Sequence, residues 1–264
     1  MENPVVAGVL VALIVPFLGN TLGAALVFLM RHGMSERFTK ALLGFAAGVM
    51  IAASVWSLIT PALEAAEGGP VPAWAPAAVG FLGGMLLLLA IDHFTPHLHV
   101  GSDEPEGPVT TLKKPTMMLF ALAIHNLPEG MAVGVVLAGF LAGDPTITLA
   151  SVVALSLGIA IQNVPEGAVV SLPLTANGMS RPKAFLAGTL CGAVEPVGAG
   201  LMVAITGLVT PLLPYVLAFA AGAMMYVVTE ELIPQTQQGR HTNIGTIGVA
   251  FGFVLMMVLD VALG

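Results

Sequence analysis

Two short stretches of the sequence place base, amide and acid side chains at matching positions: His125-Asn126-Leu127-Pro128-Glu129-Gly130 and Gln162-Asn163-Val164-Pro165-Glu166-Gly167. A third carboxylate, Glu195, also stands beside a proline, Pro196. On an α-helix turning about 100° per residue, Glu129 falls between His125 and Asn126, and Glu166 between Gln162 and Asn163. Each stretch therefore offers a carboxylate flanked by two neutral side chains. One imidazole, three side-chain amides and two or three carboxylates make a mixed nitrogen and oxygen donor set. Such a set suits a borderline divalent ion such as Zn²⁺ better than Ca²⁺ or Mg²⁺, which favour oxygen alone. Pro128 and Pro165 lack an N–H and disrupt the bonds to the carbonyls of Ile124 and Ile161, oxygens that can then take a cation or a water.

The elements that must hold these groups are membrane helices. The chain has 264 residues, of which 57% are hydrophobic and only 9% charged, with a mean hydropathy of +0.96. A soluble globule of this size cannot bury so much apolar surface. The apolar residues come in continuous runs rather than in the alternation of a barrel strand, and each is long enough for a hydrocarbon core of about 30 Å. Eight runs are predicted, at 5–30, 41–63, 74–95, 116–142, 146–174, 183–209, 211–233 and 243–263, within one domain spanning 1–264. The first has no basic stretch before it and is too long for a signal-peptide core, so it is expected to be a true span. Cys191 is the single cysteine, which excludes a disulfide framework within one chain.

Charge sets the expected orientation. Arg31, Arg37, Lys40, Lys113, Lys114, Arg181, Lys183 and Arg240 all fall in the connections after runs 1, 3, 5 and 7. By the positive-inside rule those connections, including the loop 96–114, are cytoplasmic and both termini lie outside. Trp74 and Tyr215 suit the interfacial aromatic belt at outer ends. Counted from the inner ends at 1.5 Å per residue, Glu129, Glu166 and Glu195 all lie roughly 16–21 Å deep, near the midplane. Ionisable groups at that depth cost at least about 2.5–3.5 kcal/mol and point to function. Met50 reaches the same depth and is either a thioether ligand or ordinary packing. Three carboxylates against one divalent ion leave one negative charge, which invites a retained proton; against two ions they leave one positive charge, which invites bridging.

The eight runs, the HNxPEG stretch in the fourth, its QNxPEG counterpart in the fifth and Glu195-Pro196 in the sixth resemble the ZIP family of zinc and iron permeases, in a bacterial form, over essentially the whole chain. The resemblance implies an all-α polytopic protein of eight transmembrane helices, with helices 1–3 and 6–8 as inverted repeats around helices 4 and 5. It implies a carrier that imports divalent metal into the cytoplasm, Zn²⁺ first and Cd²⁺, Fe²⁺ or Mn²⁺ besides, by alternating access of the elevator kind. His125, Asn126, Glu129, Gln162, Asn163, Glu166 and Glu195 would line a binuclear midplane site. The ion would be the bound substrate, with no catalytic cofactor and no nucleic-acid partner, in a bacterial inner membrane with both termini periplasmic. Two departures stand out. Gln162 takes a position where many relatives have His, which hardens the site, and the loop 96–114 carries only His97 and His99 where relatives are often His-rich.

Peripheral groups have weaker signals. Glu64 and Asp260 are candidate entry carboxylates, and Asp92, His93, His97, His99, Glu230, Glu231 and His241 candidate exit ligands, although loop residues serve equally as solvated surface. The paired motifs would be unusual as mere glue between helices, a role that Ser, Thr and Asn more often fill. The spacings Gly44 and Gly48, Gly80 and Gly84, and Gly130 and Gly134 allow close helix approach, for sliding bundles, static packing or a homodimer. Two rival classes are an intramembrane metallo-hydrolase, which lacks HExxH and a separate base, and a channel or proton-coupled exporter with the same lining. No phosphate-binding loop occurs and no Lys is expected inside a span, which argues against direct ATP driving.

Overall fold

The computed structural model describes residues 4–30, 34–98, 107–112, 114–176 and 178–263. Among them are eight helices long and apolar enough to cross a membrane, and no β-strand. They are α1 Pro4–Leu29, α2 Glu36–Ala65, α3 Trp74–Phe94, α4 Lys114–Leu141, α5 Leu149–Ala176, α6 Arg181–Ala204, α7 Thr206–Gln237 and α8 Ile244–Leu263. Helices are the answer to lipid because each one satisfies its own backbone polar groups. The two central helices end alike. Gly143, at φ 77°, follows α4 while the Asp144 N–H bonds to the Gly139 carbonyl; Gly178, at φ 88°, follows α5 while the Met179 N–H bonds to the Leu174 carbonyl. This is the Schellman arrangement, in which glycine takes the left-handed conformation that stops a helix.

The largest differences from the expected bounds, five residues each, lie at the start of α2, the end of α6 and the start of α7. α2 begins at Glu36 rather than 41, because the Ser35 hydroxyl accepts the Phe38 N–H at 3.3 Å and caps it. The earlier start brings Lys40 inside a membrane helix, and Lys40 is buried; its aliphatic stem packs while the ammonium finds partners. α6 stops at Ala204 rather than near 209. Ile205 leaves helical geometry at φ −101°, ψ 23°, and a short turn (Thr206–Val209) followed by a 3₁₀ turn (Thr210–Leu212) starts α7. Pro211 lies in the 3₁₀ turn and Pro214 just after it, where missing N–H groups are tolerated at a helix start.

The helices form two groups of four. α1 packs on α5 and α6, and α4 on α6; α2 packs on α8, and α3 on α7. Within each group backbones touch. A Cβ on Gly19 would lie 2.1 Å from the Ala160 carbonyl, one on Gly48 2.1 Å from that of Val249, one on Gly84 2.0 Å from that of Phe219, and one on Gly130 2.3 Å from that of Glu195. Glycine is required at such contacts because any side chain would force the helices apart. The three predicted glycine spacings therefore lie inside the groups, not on a surface where one group meets the other. Between groups the contact is through side chains: Gly158 of α5 faces the Met256 thioether of α8, and Gly139 of α4 faces Leu213 of α7.

Proline shapes the remaining detail. α4 and α5 run without interruption through Pro128 and Pro165. The break falls instead in α6 at Ala193, where Pro196 supplies no N–H to the Gly192 carbonyl, so Glu195 opens the second half-helix. α2 and α7 each carry a π turn, Ser54–Ile59 and Val228–Leu232, in which the Thr60 N–H reaches back to the Val55 carbonyl and the Ile233 N–H to the Val228 carbonyl. Each π turn runs up to a proline, Pro61 or Pro234, whose ring crowds the preceding turn.

Candidate metal centre

Helices α4, α5 and α6 place Glu129, Glu166 and Glu195 as neighbours in the interior of the bundle. Glu129 is 1% exposed and Glu195 2%, Gln162 and Asn163 are fully buried, and Glu129 has Glu166, Glu195, Gln162 and Asn163 as electrostatic neighbours. Gly130 makes this meeting possible, since its bare Cα lets the α6 backbone at Glu195 come up against the residue next to Glu129. The same glycine in the second motif, Gly167, takes the α1 backbone at Asn20 in the same manner.

An amide relay fixes part of the cluster. The Asn163 Nδ2 donates to Glu195 Oε2 at 2.7 Å and to the Pro16 carbonyl at 3.3 Å, and the Gln162 amide donates to Asn163 Oδ1. Both oxygens of Glu129, Oε1 of Glu195 and Oε1 of Gln162 are buried with no donor within 3.5 Å in good geometry, although the Gln162 and Asn163 amides are close neighbours of Glu129. Buried acceptors without donors are costly in any fold, about 1–3 kcal/mol each and more when charged. A divalent cation, or a proton retained on one of the carboxyls, would relieve this deficit.

His125 reaches across to the other group of helices. Its Nε2 lies 3.2 Å from Glu231 Oε1 on the π turn of α7, and Gln235 donates to Glu231 Oε2 at 2.7 Å. A small cavity of about 30 Å³ runs from His125, Asn126 and the half-buried Glu166 to Glu231 and Gln235. It adjoins a second cavity of about 320 Å³ at the basic end of the bundle, lined by Glu36, Thr39, Lys40 and Gln238; Leu43, Val169 and Gln235 border both. No three His, Cys, Asp or Glu side chains among the described residues converge into a ready-made metal cage. The donor set is thus mixed, with carboxylates and amides on one side and the imidazole leaning toward the cavity.

The remaining expected residues scatter. Met50 is fully buried in the main apolar cluster and does not border the cavity. Asp260 is buried and accepts from the Ser57 hydroxyl at 2.6 Å, whereas Glu64 is exposed at the end of α2. Asp92 accepts from the Tyr226 hydroxyl at 3.0 Å and lies 2.9 Å from His97 Nε2, whose Nδ1 is 2.7 Å from the Thr95 carbonyl. His93, Glu230 and His241 are exposed, and His99 lies outside the described residues. Sequence reasoning missed Asn20, 2% exposed, whose amide donates to the Gly188 carbonyl at 3.1 Å. A lone Asn in an apolar run, one turn after Pro16, was the available signal. It missed Ser57, Tyr226 and Gln235 as well, none of which stands out from its neighbours in the sequence.

Comparison with known proteins gives a consistent result. Residues 114–260 match the family model described as ZIP Zinc transporter. The chain is 37% identical over 314 residues to Zinc transporter ZIP11 of Xenopus tropicalis, covering 92% of this chain and 93% of that protein. It is 42% identical over 253 residues to Zinc transporter ZIPB of Bordetella bronchiseptica, covering 94% and 79%. To Zinc transporter ZupT of Chlorobium luteolum it is 35% identical over 255 residues, covering 90% and 91%.

Proposed function

Since this chain belongs to the ZIP family of zinc transporters, and is thereby a multi-pass membrane protein that transports divalent metal, we propose that it imports Zn²⁺ into the cytoplasm by alternating access. The ion binds among Glu129, Glu166 and Glu195 with help from His125 and the amides of Asn126, Gln162 and Asn163, then leaves along the cavities toward the basic end. The observation that supports this reading is the cluster of buried acceptor oxygens around Glu129, with Glu166 and His125 bordering a small cavity on the side of the basic end. The basic end is cytoplasmic by the positive-inside rule, with both termini periplasmic in an inner membrane.

The finer mechanism is an elevator. Every site helix belongs to the group α1, α4, α5 and α6, while α2, α3, α7 and α8 form the other. What supports relative motion is that glycine locks backbones within each group, whereas side chains fill the space between them. Exchanging α1 with α6, α2 with α7, α3 with α8 and α4 with α5 converts the pair α1–α5 into α6–α4, and α2–α8 into α7–α3. Gly80, Gly84 and Asp92 on α3 recur at the same spacing as Gly248, Gly252 and Asp260 on α8. Both facts favour an inverted repeat, the usual basis of two equivalent access states. Carboxylate bridging between α4, α5 and α6 would accommodate two ions, and the lipid-facing surface leaves room for a homodimer.

Zinc uptake into proteoliposomes of the purified protein tests the reading. Saturable uptake, competed by Cd²⁺, Fe²⁺ or Mn²⁺ in a measured order and abolished by Glu166→Ala, is the expected result. Flux that rises without saturation would indicate a channel, and an imposed pH gradient that changes the initial rate would show proton coupling.

A further inference from the structure

The least expected charge in the fold is Lys40. Its side chain is only 4% exposed, and Nζ lies 2.8 Å from Glu36 Oε1 and 2.8 Å from the Arg240 carbonyl oxygen. It also borders the cavity at the basic end, together with Glu36, Thr39, Gln235 and Gln238. Leu43, Val169 and Gln235 border both this cavity and the smaller one at His125 and Glu166, which sets Lys40 beside the shortest way from the carboxylate cluster to this end. A fixed ammonium on the route of a dication needs a reason.

Release supplies one. A dication leaving a strong site is slowed by every bare carboxylate along the way. Glu231, the first one met, is already engaged by His125 and Gln235. Glu36 is the next, and it stands at the mouth. An ammonium held inside protein is less screened than one on a flexible surface side chain, so Lys40 both neutralises Glu36 and repels a dication at short range. The Arg240 carbonyl gives the ammonium a second, fixed partner beside Glu36, which is 60% exposed.

We propose that Lys40 is a release residue. Its ion pair with Glu36 prevents the mouth of the exit path from becoming a trapping site for the departing divalent cation. The proposal rests on the transport reading above and adds to it a residue pair outside the midplane site. Trapping after translocation slows turnover and makes the transporter saturate earlier, so kcat and KM fall together.

Zinc uptake kinetics of Lys40→Met, Lys40→Gln, Glu36→Gln and the double variant Lys40→Met with Glu36→Gln test it in proteoliposomes. Lys40→Gln retains a donor for the Arg240 carbonyl while losing the charge, and so separates charge from folding. Both single Lys40 variants are expected to lose about fivefold in kcat with a parallel fall in KM, since a slow step after binding lowers both. The double variant should return to within about twofold of the unsubstituted protein, because the trap is gone. Unchanged kcat and KM in Lys40→Gln, or a loss that Glu36→Gln fails to restore, would overturn the proposal. Absence of saturable uptake by the unsubstituted protein would instead count against the transport reading itself.

Discussion

Asn163 connects the site to its support: through one amide it holds Glu195 on α6 and the Pro16 carbonyl on α1, while its own oxygen accepts from Gln162. Replacing it with alanine removes the donor to Glu195, a cost of about 1–3 kcal/mol in metal-free protein. Zinc should stabilise the variant less than the unsubstituted protein, because a ligand adds stability by mass action according to its affinity and the variant lacks one amide of the site. Thermal unfolding of Asn163→Ala with and without zinc checks this, and a melting temperature equal to the unsubstituted protein's without metal would contradict it. At this scale the sequence was informative wherever polarity broke an apolar run, as at His125, Glu129, Glu166 and Glu195. It was silent about Ser57 with Asp260 and Tyr226 with Asp92 as pairs. Those partners are far apart along the chain, and only the packing of α2 on α8 and of α3 on α7 brings them together.

Among the elements, glycine decides which helices are inseparable. Gly84→Ala sets a methyl group 2.0 Å from the Phe219 carbonyl, an overpacking that should cost about 1–3 kcal/mol. Gly200 has nothing within 4 Å of a Cβ, and Gly200→Ala should be neutral or stabilising by about 0.5–1 kcal/mol through helix propensity. Detergent unfolding of the two variants side by side makes the comparison, and equal stability would refute the backbone-contact account. Glycine spacing was readable in the sequence, but not which helix each glycine meets, since spacing specifies a face and not a partner. The breaks were harder still. The turns containing Pro128 and Pro165 stay helical, whereas α6 yields at Ala193 before Pro196. The π turns before Pro61 and Pro234 depend on the same local crowding, for which hydropathy carries no signal.

For the whole molecule, the eight spans follow from the length and continuity of the apolar runs, so the fold class was legible before any coordinates. The division into two groups was not, because it rests on contacts between helices distant in sequence. If one group moves against the other, a link between them must stop transport. With Cys191→Ser as background, Gly139→Cys and Leu213→Cys place thiols across the α4–α7 contact; zinc uptake should cease as the disulfide forms and return on reduction. Undiminished uptake with the link closed would rule out relative motion there. The central claim, that transported metal passes through the midplane carboxylates, is tested most directly by zinc uptake and zinc bound per chain in Glu129→Ala and Glu166→Ala beside the unsubstituted protein. The account predicts that both quantities fall together in each variant while the helical fold is retained. Uptake and bound zinc unchanged in properly folded Glu129→Ala and Glu166→Ala would contradict it.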